Sequence, residues 1–201
     1  MKINEVDNLH LGSFREIVTQ ECSDFLSILK EARSRNPGTL LYSGRRFLRS
    51  TYFGKSREER HPKDSSSLFH NFTVDVFSSL GIDARRDNSI FTTVSKGVAS
   101  GYGNVYIIFP VNGFKYSYTR YNDLVFNYHH AETKELVDEY QIADPNRKIE
   151  ILRNYAVDIQ LTDKDLLTAL LKRREILING SYYAIDGTYQ PWVEEFLDEI
   201  D

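Results

Sequence analysis

A single carboxylate, Glu175, stands at a point in the sequence where a catalytic group could lie and where folding does not require one. It follows three consecutive cations, Lys172, Arg173 and Arg174, and it precedes an apolar run at residues 176–178. A carboxylate at the head of a β-strand can stabilise positive charge that develops on a bound molecule. It can equally form an exposed ion pair with its basic neighbours, which contributes about 0–1 kcal/mol to stability. The three cations also suit the negative end of the dipole of a preceding helix, so they have a structural explanation of their own.

A second stretch with chemical potential covers residues 45–63, where cations alternate with aromatic side chains. The cations are Arg45, Arg46, Arg49, Lys55, Arg57, Arg60, His61 and Lys63, and the rings among them include Phe47, Tyr52 and Phe53. Cations beside rings that can stack are the ingredients for binding phosphates and single-stranded nucleic acid. Together with Arg85 and Arg86, this stretch could bind nucleotide phosphates or a nucleic-acid acceptor, or it could be a solvated loop balanced by its own acidic residues. We predict a loop rather than a regular element here.

Several well-known functional motifs are missing from the sequence. It contains no G-x-x-x-x-G-K-[ST] phosphate loop, no H-E-x-x-H and no G-x-S-x-G, and Gly97, Gly101 and Gly103 do not fit the dinucleotide-binding pattern. The pair His129-His130 is close to Glu132, but adjacent side chains on a helix or strand point in different directions. We therefore predict no metal site.

Length and composition indicate one domain. The chain has 201 residues, a formal net charge of −4 and a single cysteine, so neither an intramolecular disulfide nor a strongly charged partner is indicated. No apolar run approaches the length of a membrane span, and the N-terminus lacks the apolar core of a signal peptide. We expect no membrane association and a cytoplasmic location. We divide the domain into an N-terminal helical region (1–38), a core (39–187) and a C-terminal helix (188–201).

Apolar periodicity predicts an α+β fold with its strands scattered along the chain. Helices are expected at 21–34, 64–80, 132–140, 148–155, 163–172 and near the C-terminus, with strands at 39–44, 89–93, 105–110, 114–118, 176–178 and 181–185. Asn112-Gly113 and Asn179-Gly180 are typical of tight hairpin turns. They predict that 105–110 pairs with 114–118, and that 176–178 pairs with 181–185.

The order of these segments resembles the ADP-ribosyltransferase superfamily. In that family a first strand carries an aromatic-[Arg/His]-Gly signature, a second carries a Ser-Thr-Ser-like cluster, and a late strand opens with the catalytic Glu. The matching segments here are Tyr42-Ser43-Gly44, Phe91-Thr92-Thr93 and Glu175-Ile176-Leu177-Ile178, with the small-residue turn before Tyr102-Gly103 between them. The resemblance covers about residues 39–185 and implies a split, mainly antiparallel two-sheet core with flanking helices, whose cleft holds NAD.

The resemblance also implies a role for each matching residue. Glu175 would hydrogen-bond the 2′-hydroxyl of the nicotinamide ribose and stabilise the oxocarbenium-like state that forms as the nicotinamide bond breaks. The implied NAD contacts are Tyr42, Ser43 and Gly44 on the first strand, Thr92 and the catalytic-site residue Thr93 on the second, and Tyr102, which would stack on nicotinamide.

Two positions depart from the family pattern. Ser43 stands where the family has Arg or His, so we expect Arg45 or Arg46 to bind the NAD pyrophosphate in its place. Arg173 stands where arginine-modifying members carry Glu or Gln, and a cation there would repel a guanidinium acceptor. Arg173 and Arg60 are the residues we expect to contact a different acceptor.

The sequence therefore predicts an NAD-dependent enzyme that transfers ADP-ribose to a macromolecule, either RNA, DNA or a protein site other than arginine. Small freestanding members of this family resemble bacterial or phage toxins and host-takeover proteins, which implies a possible antitoxin or inhibitor. One alternative is a degenerate member that binds a nucleotide or partner without catalysis. Another is a metal-independent ribonuclease using His61, His70 and the arginines, although no triad spacing supports it.

Overall fold

The computed structural model describes residues 11–46, 49–59, 66–124 and 128–199, which form an α+β structure around two antiparallel sheets. The expected split two-sheet core with flanking helices is therefore confirmed. The strands in these ranges are β1 (Tyr42–Arg45), β2 (Thr51–Lys55), β3 (Ile90–Thr92), β4 (Asn104–Pro110), β5 (Lys115–Tyr118), β6 (Ile176–Asn179) and β7 (Ser181–Asp186). The helices are α1 (Leu11–Glu21), α2 (Ser23–Arg35), α3 (Ser67–Ser79), α4 (Lys96–Ser100), α5 (Ala131–Ile142), α6 (Pro145–Asp158), α7 (Leu166–Leu171) and α8 (Gln190–Asp198).

The larger sheet has the strand order β1-β4-β7-β2, and the smaller sheet has the order β3-β6-β5. In the larger sheet Tyr42 lies opposite Ile107, and Ile107 lies opposite Ile185. In the smaller sheet Ile176 lies between Thr92 and Tyr118. The short apolar runs of the sequence thus become the central strands, because their side chains are buried on both faces.

Two hydrophobic clusters cover opposite faces of the smaller sheet, and the larger of them also includes the larger sheet. The larger one joins α1, α2, α7 and α8 to the sheets, with Phe14 packing edge-on against Phe109 and Tyr183. The smaller one joins α3, α5 and α6 to the smaller sheet at Leu177. Burying these rings is the main favourable term in folding, at about 25 cal/mol per Å² of apolar area.

Local signals set several helix boundaries. Ser66 accepts a hydrogen bond from the backbone N–H of Phe69 and so caps α3. Asp144 accepts from the backbone N–H groups of Asn146 and Arg147 to cap α6, and Pro145 occupies the first helical position. The predicted helix starts at these two turns are therefore close to the observed ones.

Both hairpin predictions are wrong. β4 and β5 lie in different sheets, and so do β6 and β7, although an Asn-Gly pair connects each pair of strands. The tight hairpin turn with Asn-Gly needs positive φ at both central residues. Gly113 and Gly180 have φ of 82° and 140°, but Asn112 and Asn179 are not among the described residues with positive φ. The chain therefore passes from one sheet to the other at these turns.

The expectation of a loop over residues 45–63 is also wrong in part, because β2 lies within it. β2 is an edge strand that pairs with β7 from Thr51 opposite Ile185 to Lys55 opposite Ser181. The alternation of side chains along β2 is difficult to recognise in the sequence because cations flank the strand. Phe47, Leu48 and residues 60–65 lie outside the described residues, and Arg60, the expected acceptor contact, is among them.

Candidate functional site

The two sheets are joined by the bridge between Tyr42 on β1 and Thr93 just after β3, which we call the junction. The N–H of Tyr42 donates to the carbonyl of Thr93 at 2.7 Å, and the N–H of Thr93 donates to the carbonyl of Tyr42 at 2.8 Å. Among the described residues this is the one bridge between β1 and β3, so the ladder does not continue along the strands. The Ser43 hydroxyl adds a tether by donating to the Phe91 carbonyl at 2.7 Å.

Alternation along the strands defines two sides of this junction. Ser43 and Arg45 share one face of the larger sheet, and Glu175 shares a face of the smaller sheet with Leu177 and Asn179. These two faces lie on the same side, because Ser56, which follows β2, donates to the Asn179 side chain at 2.8 Å. We call this side the front and the opposite side, covered by α2 and α8, the back.

Glu175 lies at the front, immediately before β6. Its backbone N–H donates to the carbonyl of Tyr121 at 3.3 Å. Its carboxylate accepts from Arg86 Nη1 at 3.1 Å, and the two side chains are only 14% and 4% exposed. An ion pair so far from solvent is strongly coupled, because removing one partner leaves an uncompensated buried charge.

Arg86 reaches Glu175 because its loop is fastened to the front of the smaller sheet. Ser117 on β5 donates to the carbonyl of Ala84 at 2.6 Å, and the Asn179 side chain donates to the carbonyl of Asp83 at 3.2 Å. The guanidinium of Arg86 then lies 4.5 Å from the centre of the Phe91 ring, where a cation is favourable. Of the two arginines expected to bind phosphates or an acceptor, Arg86 is instead buried against Glu175, and Arg85 pairs with Asp87.

Thr93 and Thr92 take opposite sides of β3. Thr93 lies one residue beyond the Thr92–Ile176 pair and opposite Tyr42, and its hydroxyl accepts from the N–H of Ser95 at 3.1 Å. Thr92 lies opposite Ile176 and points to the other face, where its hydroxyl donates to the Ile176 carbonyl at 2.7 Å.

Arg45 is a front-side cation with spare hydrogen-bonding capacity. Its guanidinium lies 5.5 Å from the centre of the Tyr182 ring, and its Nε and Nη2 are buried without a hydrogen-bond partner in the described structure. Buried donors of this kind cost stability unless a ligand or water satisfies them. Arg46, the other arginine expected to bind pyrophosphate, is exposed.

Gly44 and Tyr102 fix the turn that follows α4. A Cβ atom added at Gly44 would collide with the Ala99 carbonyl oxygen and lie 2.7 Å from Tyr102 Cβ, so the close approach requires glycine. The Tyr102 ring is 52% exposed, and its hydroxyl donates to Asp123 at 2.9 Å. Asp123 follows Tyr121 by two residues, so this bond links the α4 turn to the segment that holds the Glu175 backbone.

Tyr42 and Arg173 belong to the back. They line a pocket of about 230 Å³ with Asn36, Pro37, Gly38, Thr39, Val94, Lys96 and Gln190, which we call the back pocket. Burial raises the pKa of the Tyr42 phenol to about 12, with a further increase from Glu194 and an opposing effect of Arg33. The structure thus brings Glu175, Ser43 and Arg45 to the front, while the side chains of Tyr42, Thr92 and Arg173 lie elsewhere.

In the described ranges, no group of three His, Cys, Asp or Glu side chains is arranged to hold a metal ion. None of the described helices combines the length and apolar character needed to cross a membrane.

Comparison of the chain with protein-family models, curated proteins and solved structures finds no match. The site is therefore interpreted from its own residues. The two contributors that sequence reasoning missed are Arg86, as the partner of Glu175, and Asp123, as the partner of Tyr102. No local pattern distinguishes Arg86 from Arg85, because its burial depends on contacts from Ser117 and Asn179, which are distant in sequence.

Proposed function

We propose that the protein is an NAD-dependent ADP-ribosyltransferase that modifies a macromolecular acceptor, a nucleic acid or a protein site other than arginine, as toxins and host-takeover proteins do. The feature that supports it most is the junction, where backbone bonds join Tyr42 to Thr93 and the neighbouring Thr92 pairs with Ile176, the residue after Glu175. These segments are far apart in sequence and match, in order, the signatures of the resembling family.

In the proposed reaction, the bond between the nicotinamide nitrogen and C1′ of the ribose breaks, and nicotinamide leaves with the bonding electron pair. The acceptor nucleophile forms the new bond to C1′ and releases its proton to solvent. Glu175 would hydrogen-bond the 2′-hydroxyl and stabilise the positive charge that develops at C1′. Arg86 would hold the carboxylate in place from the buried side.

Arg45 is the cation that we assign to the NAD pyrophosphate. Its buried, unpartnered Nε and Nη2 could donate to phosphate oxygens in a charge-assisted pair. Arg45→Gln should raise the KM for NAD about tenfold. The matched control is Arg46→Gln, which removes the adjacent exposed cation and should leave KM nearly unchanged. Equal KM values for wild type and Arg45→Gln would refute this assignment.

The second candidate function is a degenerate module that binds a nucleotide or partner without catalysis. The closed ion pair between Glu175 and Arg86 favours it, because a carboxylate engaged by a buried guanidinium is less accessible to a ribose hydroxyl.

One experiment separates the two functions. The protein is incubated with NAD labelled in the adenylate part and with cell lysate, and the label is followed into protein, RNA and DNA while free nicotinamide is quantified. The transferase should label one acceptor class, and Glu175→Gln, which keeps a hydrogen bond to Arg86, should lower the rate about 10²–10³-fold. Equal labelling by both proteins contradicts the role of Glu175. NAD binding by calorimetry without any turnover supports the degenerate module.

A further inference from the structure

We propose that the back pocket is a binding site for a phosphate group, held between Arg173 and Lys96. This site lies on the opposite side of the junction from Glu175, and phosphate binding there does not require NAD.

The charge of the back pocket is the first observation that supports this proposal. Two of the nine described lining residues are cations, and none of the nine is acidic. Lys96 Nζ donates to the Gly187 carbonyl at 3.3 Å and to Gln190 Oε1 at 3.1 Å. These neutral oxygens orient the ammonium without neutralising it, so its charge remains available to an anion.

The backbone of Arg173 is the second observation. Helix α7 ends in a Schellman motif, in which the N–H of Arg173 donates to the Leu170 carbonyl at 3.1 Å and the N–H of Arg174 donates to the Ala169 carbonyl at 3.0 Å. Arg173 occupies the left-handed position of this motif with a φ of 56°, where glycine is usual. A side chain with a Cβ destabilises this conformation relative to glycine.

Glycine would satisfy this backbone position, so folding does not require the Arg173 side chain. Among the ion pairs of the described residues, none involves Arg173. Its contribution to the structure is instead to line the back pocket beside Lys96. Strained non-glycine residues are concentrated at functional sites, and arginine is well suited to phosphate oxygens.

The size of the back pocket limits the ligand. A volume of about 230 Å³ is below the usual range for a whole organic cofactor, but it can hold a phosphate with part of an attached group. The phosphate could belong to the backbone of a nucleic acid or to a small free molecule. Both sources present the same oxyanion to Arg173 and Lys96.

The test is a pair of NMR titrations without NAD, one with inorganic phosphate and one with a single-stranded DNA oligonucleotide. The amide signals of Thr39 and Val94, which line the pocket, report binding. Wild type should bind at least one probe, and Arg173→Gly and Lys96→Gln should each raise its dissociation constant about fivefold. Lys172→Gln removes the exposed neighbouring cation that does not line the pocket, and it should change the constant less than twofold.

The melting temperature of Arg173→Gly shows whether weaker phosphate binding results from a loss of folding. Because glycine suits the left-handed position, its melting temperature should equal that of wild type or exceed it by about 2–4 °C. Saturation by inorganic phosphate assigns a small free ligand, whereas saturation by the oligonucleotide alone assigns a nucleic-acid backbone. The proposal is overturned if neither probe shifts the Thr39 and Val94 signals, or if Arg173→Gly binds as tightly as wild type. Since no NAD is present, these results are independent of the transferase assay.

Discussion

Arg86 at the front of the junction and the two cations of the back pocket are held in opposite ways. At the front, Arg86 is buried, stacks on Phe91 and shares a salt bridge with Glu175. At the back, Arg173 and Lys96 are exposed and line a pocket that contains no carboxylate among its described lining residues. The charge of Arg86 at the front therefore orients one buried carboxylate, whereas the charges of Arg173 and Lys96 at the back face solvent.

This difference determines what substitution should do on each side. A buried, coupled charge cannot be removed alone without leaving its partner desolvated. An exposed, uncoupled charge can be removed with little effect on stability, and its loss should appear in binding instead. Stability measurements can thus test the contrast independently of any assumed activity.

The largest expected effect is that of Arg86→Met. It leaves Glu175 buried without its counter-ion, and we expect the free energy of unfolding in urea to fall by about 3 kcal/mol. The matched control is Arg85→Met, one residue earlier, whose partner Asp87 and own side chain are 23% and 30% exposed. Arg85→Met should lower the free energy of unfolding by less than about 1 kcal/mol.

A double substitution sharpens this result. Replacing both Arg86 and Glu175 by Met should restore stability to within about 1 kcal/mol of wild type, since an apolar pair of similar volume needs no charge compensation. Equal, small losses for Arg86→Met and Arg85→Met would mean that the front pair is solvated, and the contrast between the two sides would fail.

Gly44→Ala tests the close packing of α4 and its following turn against β1. The new methyl group would meet the Ala99 carbonyl, and backbone cannot move aside as a flexible side chain can. We expect a loss of about 2 kcal/mol in unfolding free energy, and a weaker phosphate response at the back because α4 carries Lys96. Gly12→Ala in α1, where nothing lies within 4 Å of the added carbon, should change stability by less than about 1 kcal/mol. A Gly44→Ala variant with unchanged unfolding free energy would show that α4 is not held this close to Gly44.

The sequence predicts most of the elements, but not α1 or β2, and it does not predict the strand partners. The run at 105–110 predicts β4 almost residue for residue, because a continuous apolar segment bounded by turn residues has few other solutions. The Asn-Gly pairs do not reveal that their strands enter different sheets. That choice depends on φ at Asn112 and Asn179, and on strands β1, β2 and β3 that arrive from elsewhere in the chain.

Sequence-based prediction of the candidate site has the same limit. Ordered motifs were enough to propose that Glu175, Thr93 and Ser43 meet, since a family resemblance carries long-range topology with it. The side of the sheet that each residue faces was not predictable for Thr92 and Tyr42, because it requires the register of the β3–β6 and β1–β4 pairs. Arg86 could not be singled out either, since burial of a charge depends on contacts made by distant residues.

A smaller effect is expected from replacing Asp165, which caps α7, the helix that precedes Arg173. Its carboxylate accepts from the hydroxyl and the backbone N–H of Thr168, and these bonds lower the pKa of Asp165 below its usual value. Loss of this cap in Asp165→Ala should cost about 1 kcal/mol. Because the folded pKa lies below the unfolded value of about 3.9, the ionised form contributes its stability above that pH and loses it as the pH falls.

Asp165→Asn provides the comparison for this pH dependence, since asparagine keeps a capping oxygen and tolerates positive φ but carries no charge. The difference in unfolding free energy between wild type and Asp165→Asn should shrink as the pH is lowered from about 6 to 3. A difference that stays constant over this range would show that the Asp165 charge does not stabilise α7.

The smallest expected effect is that of Lys96→Gln at the back. The change removes two hydrogen bonds from an exposed ammonium to neutral oxygens, and no carboxylate is left unpaired by it among the described residues. We expect a change of about 0–0.5 kcal/mol in unfolding free energy, measured in urea beside Arg86→Met. A loss close to that of Arg86→Met would mean that Lys96 serves the packing of α4 against α8, as a charge used internally. A near-zero loss combined with weaker phosphate binding would establish the back as the side whose charge is directed at a ligand.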